Sequence, residues 1–273
     1  MKPSVTYRFH SLEDFLTSKR LDVDGLLDDG WGAHFPVKGR VIDAVIVFVD
    51  IGAFSRRTFE MSPIETLIFV NNFFSWITAE GLRERPGVVD KYIGDEIMVV
   101  FSKEFGSDDP FADALITARW MAERDALAFC PHIGLAQGEV CVGYVGTPLR
   151  YNCSVFGRPV TIASRCCGAD SDSVGNSIFL PADLWGKRNL NDYFKPERIA
   201  GPSGKIIERR HHWEVSPVRK IPIKNMPDLE IVEITNSLIH MPSLSADDRA
   251  KMGFEGLKTE GTYNPIRYGF ERD

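Results

Sequence analysis

Two apolar, strand-like runs, each carrying an aspartate, constrain the fold of this chain most strongly. The first covers residues 45–51 and contains Asp50, and the second covers residues 91–97 and contains Asp95 directly after Gly94. A nearly continuous apolar run is typical of a strand buried on both faces, and the glycine favours a tight hairpin turn. Two carboxylates brought to one edge of a sheet suit Mg²⁺ or Mn²⁺ over a polyphosphate, because these cations prefer oxygen ligands and phosphates.

Hydrophobic periodicity and capping residues predict the elements around these runs. Ser62 followed by Pro63 is typical of a helix start, since serine caps and proline suits the first helical position. Helices are expected near Leu12, Phe15 and Leu16, from Ser62, over residues 107–129, and from Pro159 to Cys167; strands are expected over 41–49, in hairpins at 87–101 and 132–145, and among loops in 176–235. The order predicts an α+β fold, a βαββαβ sheet with helices on one face.

The same pattern divides the chain into three parts. Residues 1–40 form an N-terminal extension that we expect to be helical and to pack on the main domain. Residues 41–235 form that domain. Residues 236–273, rich in glycine and proline, are expected to be a C-terminal tail that wraps on the domain or on a partner.

Charge and cysteine content exclude several classes of function. The net charge is −6 and long lysine or arginine runs are absent, so nucleic-acid binding is not expected. No apolar stretch reaches the roughly 18 residues that span a bilayer, so membrane insertion is not expected either. The five cysteines are odd in number and lack CxxC spacing, which favours a reduced, cytoplasmic protein.

Each aspartate alone is compatible with an ordinary turn residue. Considered together they favour a metal site, because the first strand and the central hairpin of a βαββαβ sheet are neighbours. Two carboxylates in contact repel each other, and a divalent cation relieves that repulsion. Small residues at Gly52 and Ala53 allow backbone amides to approach phosphate oxygens.

Four ordered motifs between residues 41 and 235 resemble those of the class III nucleotidyl cyclases, the adenylate and guanylate cyclase superfamily. They read FVDI-x₂-F, KYIGDEI, GLAQGEVCVGYVG and VFGRPVTIASR. The resemblance implies a ferredoxin-like catalytic domain in which a ribose 3′-hydroxyl attacks the α-phosphate of a nucleoside triphosphate and pyrophosphate leaves. It further implies two Mg²⁺ or Mn²⁺ ions per active site, held by Asp50, Asp95 and the Ile51 carbonyl.

The resemblance also implies roles for the later motifs. Arg165 would steady charge on the α-phosphate in the transition state. Thr161 stands where the family has a ribose-orienting asparagine, so its shorter hydroxyl would have to serve. In this family a head-to-tail homodimer forms composite sites, in which one chain supplies the aspartates and the other supplies Arg165 and Thr161. The residues that the resemblance assigns to substrate binding are Phe54, Lys91, Tyr151, Ser154 and Lys220.

The base pocket leaves the substrate open between UTP and ATP. Lys91 matches the family's base-reading lysine, and Ser154 occupies the second base-reading position, where serine can donate or accept a hydrogen bond. The pair Arg150-Tyr151 is similar to a segment of the bacterial pyrimidine cyclases of anti-phage signalling. That similarity favours UTP ahead of CTP, with cyclic UMP as a second messenger read by a separate effector, whereas Lys91 also suits ATP.

Two other interpretations differ in class. The KYIGDEI motif is similar to the GGDEF motif of diguanylate cyclases, but Ile93 stands where that family has a glycine that admits the substrate. A catalytically inactive cyclase-homology module that binds nucleotide or a partner is supported by Thr161. Against it, both aspartates that would bind metal, Asp50 and Asp95, are present.

Overall fold

The computed structural model describes most of the chain up to residue 236. The described ranges are 8–28, 34–82, 85–123, 129–147, 149–171, 176–195, 197–200, 206–209, 212–223 and 227–236. The expected C-terminal tail, apart from its first residue, lies outside them.

Twelve strands occur in the described ranges. They are β1 (Val23–Asp28), β2 (His34–Asp50), β3 (Gly87–Ile93), β4 (Glu96–Phe101), β5 (His132–Thr147), β6 (Arg150–Phe156), β7 (Ser177–Pro181), β8 (Glu197–Ala200), β9 (Ile206–Arg209), β10 (Trp213–Val215), β11 (Arg219–Ile221) and β12 (Leu229–Asn236).

Ten of these strands form one sheet with the path β10-β12-β7-β5-β2-β4-β3. The additional strands β1, β11 and β6 pair with β2, β12 and β5, and β8 and β9 form a separate pair. The β5–β7 pairing is parallel, and the other described pairings are antiparallel. Strand β2 therefore lies in the centre, between β4 and β5.

Seven α-helices connect the described strands. They are α1 (Leu12–Thr17), α2 (Phe54–Thr58), α3 (Pro63–Trp76), α4 (Pro110–Glu123), α5 (Arg158–Cys167), α6 (Ala182–Trp185) and α7 (Leu190–Tyr193). A π-helical turn, Ile77–Gly81, continues α3, and a 3₁₀ turn, Lys103–Phe105, precedes α4. None of the helices in the described ranges has the length and apolar character needed to cross a membrane.

Local sequence explains where α3 begins. The Ser62 hydroxyl accepts from the Glu65 backbone amide at 3.3 Å, and the Glu65 carboxylate accepts from the Ser62 amide at 2.7 Å. This is a capping box, which satisfies two amide donors that the first helical turn leaves free, and Pro63 occupies the first turn. The helix predicted from Ser62 is confirmed.

Alternation along β2 builds two cores, one on each face of the sheet. Val45, Val47 and Val49 are buried against α3 and α4. Ile46 and Phe48 point to the opposite face, where α1 and α5 pack. The α+β class is confirmed, but the expectation of helices on one face is wrong. An uninterrupted apolar strand needs cover on both sides, and α1 and α5 provide the second layer.

The hairpin expected over residues 132–145 is also wrong. Residues 132–147 form the single strand β5, which pairs with β2 through the segment that was expected to turn, with Ala44 opposite Gly138. Pairing with a long neighbour keeps Gly138, at φ of +153°, within the ladder, since the ladder hydrogen bonds would be lost in a turn. The hairpin at 87–101 and the helix ending at Cys167 are confirmed, and the helix expected over 107–129 is described over α4.

The N-terminal segment meets its prediction in part. Helix α1 is capped by Ser11 and buries Leu12, Phe15 and Leu16. Strand β1 then pairs with the first part of β2, so β2 runs across the expected domain boundary at residue 41. The three-part division of the chain stays a prediction.

Candidate active site

The sheet ladder fixes the position of Asp50. As the last residue of β2, Asp50 is paired with Glu96 of β4 on one side and with His132 of β5 on the other. Because register determines which face every side chain occupies, Asp50 and Glu96 lie side by side on one face.

A two-residue turn carries Asp95 to the same place. Gly94 and Asp95 connect β3 and β4, with Ile93 paired to Glu96. Gly94 has φ of +65° while Asp95 has a negative φ, the sign pattern of a type II′ hairpin turn. Glycine at this first position avoids the strain that a side chain would meet at positive φ. The side chains of Asp95 and Asp50 come close enough that each perturbs the pKa of the other.

Burial, and then mutual proximity, raise the pKa of Asp50, Asp95 and Glu96. Burial raises the pKa of Asp50, and the negative charge of Glu96 adds to the rise. Burial and the neighbouring carboxylate of Asp50 raise the pKa of Asp95 to about 7. Burial and the charge of Asp95 likewise raise the pKa of Glu96 to about 7. Without a cation, Asp95 and Glu96 therefore stay protonated to a higher pH than ordinary carboxyl groups.

The pair fits a divalent cation. The Oδ1 atom of Asp50 is buried and makes no hydrogen bond, and an unsatisfied buried carboxylate oxygen is costly unless a cation or donor reaches it. In the described ranges, no group of three or more His, Cys, Asp or Glu side chains is arranged as a metal site. Two carboxylates would therefore hold the ion together with other oxygens, such as the Ile51 carbonyl and phosphates.

Helix α5 presents Thr161 and Arg165 to the outside. Both residues are exposed, whereas Ala163 and Cys167 on the opposite side of the helix are buried. The helix packs closely on β5. This is seen at Gly134, where an added Cβ would come within 2.2 Å of the Ala163 carbonyl oxygen and the Cys167 amide nitrogen. Burial raises the pKa of Cys167 well above its usual range, and the charges of Glu96 and Asp50 add to it. The C-terminal end of α5 thus lies beside the carboxylates.

A second group of predicted site residues lines a cavity of about 280 Å³. Lys91, Tyr151 and Ser154 all lie on its wall, and the lining includes neither of the two aspartates. Ser154 is 2% exposed, and its hydroxyl donates to Asp90 Oδ2 at 2.8 Å. The Lys91 ammonium lies 3.4 Å from the same oxygen.

The other two predicted substrate residues lie apart from this cavity. The ring of Phe54 stacks on that of Phe69 with centroids 6.5 Å apart. Phe54 thereby anchors the loop that follows Asp50 to the core. Lys220 on β11 pairs with Glu230 of β12 at 3.5 Å, in an exposed ion pair of a kind that contributes little stability.

Three residues of the cavity were not predicted from the sequence. Asp90 accepts from Ser154 and contacts Lys91. Glu13 of α1 accepts a hydrogen bond of 3.2 Å from the Tyr144 hydroxyl, and both line the cavity. Asp90 could have been suspected, since it directly precedes Lys91. The sequence contains no sign that α1 reaches this wall, because Glu13 and Tyr144 are 131 residues apart.

Comparison with curated proteins identifies relatives of unassigned function. An uncharacterized protein of Mycobacterium tuberculosis is 36% identical over 125 residues, which is 45% of this chain and 22% of the relative. A second from the same species is 32% identical over 177 residues, 64% of this chain and 31% of the relative. The chain thus spans less than a third of the length of these relatives. No family model matches the chain.

Solved structures show the fold. The adenylyl cyclase CyaB from P. aeruginosa superimposes with a TM-score of 0.55 and 17% identity, over 73% of this chain and 96% of CyaB. A bacterial light-regulated adenylyl cyclase superimposes with a TM-score of 0.54 and 20% identity, over 80% of this chain and 58% of the cyclase chain. The guanylyl cyclase Cya2 superimposes with a TM-score of 0.51 and 19% identity, over 72% of this chain and 92% of Cya2. The chain therefore has the fold of the class III cyclase catalytic domain.

Proposed function

We propose that this chain is a nucleotidyl cyclase that converts a nucleoside triphosphate, UTP before the others, to its 3′,5′-cyclic monophosphate and pyrophosphate. The observation that carries the proposal is the proximity of Asp50 and Asp95, each of which perturbs the pKa of the other, at one edge of a cyclase-like sheet. The buried, unpartnered oxygen of Asp50 supports a cation at this position.

In this proposal each predicted site residue has a separate role in the reaction. Asp50, Asp95 and the Ile51 carbonyl would hold two Mg²⁺ or Mn²⁺ ions. When bound, these ions neutralise the triphosphate and lower the pKa of the attacking 3′-hydroxyl. Arg165 stabilises the charge that develops on the α-phosphate, and the Thr161 hydroxyl orients the ribose. Phe54 keeps the loop after Asp50 in place, and Lys220 contacts the terminal phosphates.

A homodimer with composite sites accounts for the distribution of these groups. The cavity wall holds Lys91, Tyr151 and Ser154 but neither metal aspartate. Thr161 and Arg165 are exposed on α5, where a partner chain can receive them. In a two-fold dimer each chain would supply both sets, giving two equivalent sites.

The pyrimidine preference rests on Tyr151. It is 55% exposed at the cavity wall, with its ring edge-on to Tyr144 at 5.7 Å, so it can pack against a base. The product, cyclic UMP, would act in the cytoplasm as a messenger of antiviral defence that a separate effector reads. ATP is the second candidate, because Lys91 can donate to a purine ring nitrogen while Ser154 accepts from the neighbouring amino group.

Product analysis tests the proposal. The protein is incubated with UTP, CTP, ATP and GTP, each with Mg²⁺ or Mn²⁺, and the products are identified by mass. We expect cyclic UMP and pyrophosphate from the wild type and neither from Asp50→Ala. Asp43→Ala, which removes an exposed carboxylate from the same strand, should remain active. Absence of turnover with all four nucleotides would favour the inactive binding module and refute the cyclase proposal.

Mixing inactive variants tests the composite site. Asp50→Ala and Arg165→Ala chains are each expected to be inactive. Combined in equal amounts, they should regain about a quarter of wild-type activity, since half of the dimers are mixed and each has one intact site. A mixture as inactive as its components, with subunit exchange verified, would show that the site is not shared.

A further inference from the structure

Asp90 occupies an irregular position in β3. The register shifts between Val89, which pairs with Val99, and Lys91, which pairs with Met98. Asp90 is thus the extra residue of a β-bulge, and bulges redirect side chains that would otherwise alternate between faces. As a result, the consecutive residues Asp90 and Lys91 both line the 280 Å³ cavity.

The carboxylate of Asp90 is enclosed. Its side chain is 0% exposed, and its Oδ2 atom receives the Ser154 hydroxyl at 2.8 Å and lies 3.4 Å from the Lys91 ammonium. Burial raises the pKa of Asp90, and the contacts with Ser154 and Lys91 oppose that rise. A buried charge is tolerated when it is paired and hydrogen-bonded; Oδ2 of Asp90 has both kinds of contact, whereas its Oδ1 is buried without a hydrogen bond.

These contacts determine what the cavity wall offers to a ligand. An ionised carboxylate can only accept hydrogen bonds, so the Ser154 hydroxyl must donate its single proton to Asp90. The lone pairs of Ser154 then remain to accept from a ligand. Lys91, which has donors only and is 39% exposed, presents the remainder of its ammonium group to the cavity. One acceptor and one donor stand next to each other in a fixed order.

We propose that Asp90 is a positioning residue that sets base selectivity, by holding Ser154 as an acceptor and Lys91 as a donor toward the nucleobase. The inference rests on the proposed cyclase function and names a determinant of its substrate choice. The matching base edge places its N–H at Ser154 and its acceptor at Lys91. Uracil and guanine present a ring N–H beside an exocyclic carbonyl, the reverse of the ring nitrogen beside an exocyclic amino group in cytosine and adenine, so a fixed order separates the two kinds of base. Without the carboxylate, Ser154 can rotate and donate its proton into the cavity, so a base with the opposite pattern is no longer rejected.

The test compares kcat/KM for UTP, CTP, ATP and GTP in the wild type and in Asp90→Asn. The asparagine keeps the shape of the side chain but can present an amide donor to Ser154. We expect the ratio between the best and second-best nucleotide to fall roughly tenfold, about the effect of one hydrogen bond to a charged group. The fall should come mainly from KM, because the metal carboxylates and Arg165 are unchanged.

A second variant separates charge from shape. Asp90→Glu retains a carboxylate that only accepts, so the order of nucleotides should be kept even though the longer side chain raises KM. If Asp90→Asn does not fold, Asp90→Glu alone tests the role of Asp90. A changed order of nucleotides in that variant would overturn the inference.

Glu233→Gln is the matched control. Glu233 is also a buried carboxylate, 2% exposed, and it accepts from the Ser177 hydroxyl at 2.6 Å on a part of the sheet away from the cavity. Its substitution should lower the melting temperature without changing the order of nucleotides.

The outcomes distinguish this inference from the function it rests on. A wild type that turns over no nucleotide overturns both. An active wild type whose nucleotide order and KM persist in Asp90→Asn overturns the role of Asp90 and leaves the cyclase proposal intact. An equal change of order in Glu233→Gln would show that general loosening of the sheet, rather than Asp90, determines selectivity.

Discussion

Replacing Asp95 by asparagine is expected to stabilise the metal-free protein at alkaline pH while abolishing turnover. Burial and Asp50 raise the pKa of Asp95 from 3.8 to about 7, so the native protein binds this proton more tightly than the unfolded chain does. The stability that results is complete below about pH 4 and is lost as the pH rises through about 7. An asparagine at this position cannot ionise, so the variant escapes that loss.

The magnitude follows from the shift. A rise from 3.8 to about 7 corresponds to about 4 kcal/mol if fully expressed. Asp95 lies in a half-exposed turn, where solvent screening reduces the effect to about 1–2 kcal/mol. For a domain of this size each kcal/mol moves the melting temperature by roughly 2–4 °C. Asp95→Asn should therefore melt about 2–8 °C above the wild type at pH 8 and only about 1–3 °C above it at pH 5, where a little over a third of the loss has occurred.

The assay is thermal unfolding in a chelator, followed by circular dichroism at both pH values. The control is Asp43→Asn, an exposed carboxylate on the same strand as Asp50, which should melt like the wild type at both. Saturation with Mn²⁺ at about 100 times its Kd should stabilise the wild type by about 2.7 kcal/mol and the Asp95→Asn variant far less. An Asp95→Asn protein that is destabilised equally at pH 5 and pH 8 would refute the repulsion between the carboxylates.

Three further outcomes are expected. Because Asp95 and Glu96 each have a pKa of about 7 and a cation binds the ionised forms, kcat/KM at fixed Mg²⁺ should rise with pH through about 7; a flat profile from about pH 5.5 to 8.5 would contradict this. Gly134→Ala would place a methyl group against the α5 backbone, so melting should show a loss of about 1–3 kcal/mol and turnover should fall at least tenfold as Arg165 shifts; unchanged turnover would argue against α5 positioning Arg165. Ser62→Ala removes the capping box of α3 and should cost about 1 kcal/mol in urea unfolding with kcat unchanged; an equally stable variant would show that the cap is dispensable.

Features encoded within a short segment were predictable from the sequence. The cap at Ser62, the turn at Gly94 and the buried strand that carries Asp50 each depend on neighbouring residues and local periodicity. The proximity of Asp50 and Asp95 followed from the adjacency of strands in the predicted sheet. The catalytic roles of these residues remain predictions.

Features that depend on distant pairing were not predictable. Gly138 has the local character of a turn residue, yet β2 holds it in an extended strand. The second helical layer required knowing that α1 and α5 share a face of the sheet. Asp90 reaches the cavity through a bulge, which arises from an offset between two strands and leaves no periodic pattern in either one.

The two carboxylates at the sheet edge differ in mechanical freedom. Asp50 ends a strand of 17 residues that is hydrogen-bonded to a neighbour on each side, so it cannot move without breaking or sliding a ladder. Asp95 is attached only to a two-residue turn whose glycine has open space around it. Any adjustment of the carboxylate pair to cations of different radius must therefore come from the hairpin tip. Asp50 stays fixed while the hairpin tip moves. Substitutions in the turn should therefore alter the preference between Mg²⁺ and Mn²⁺ more than substitutions along β2 do.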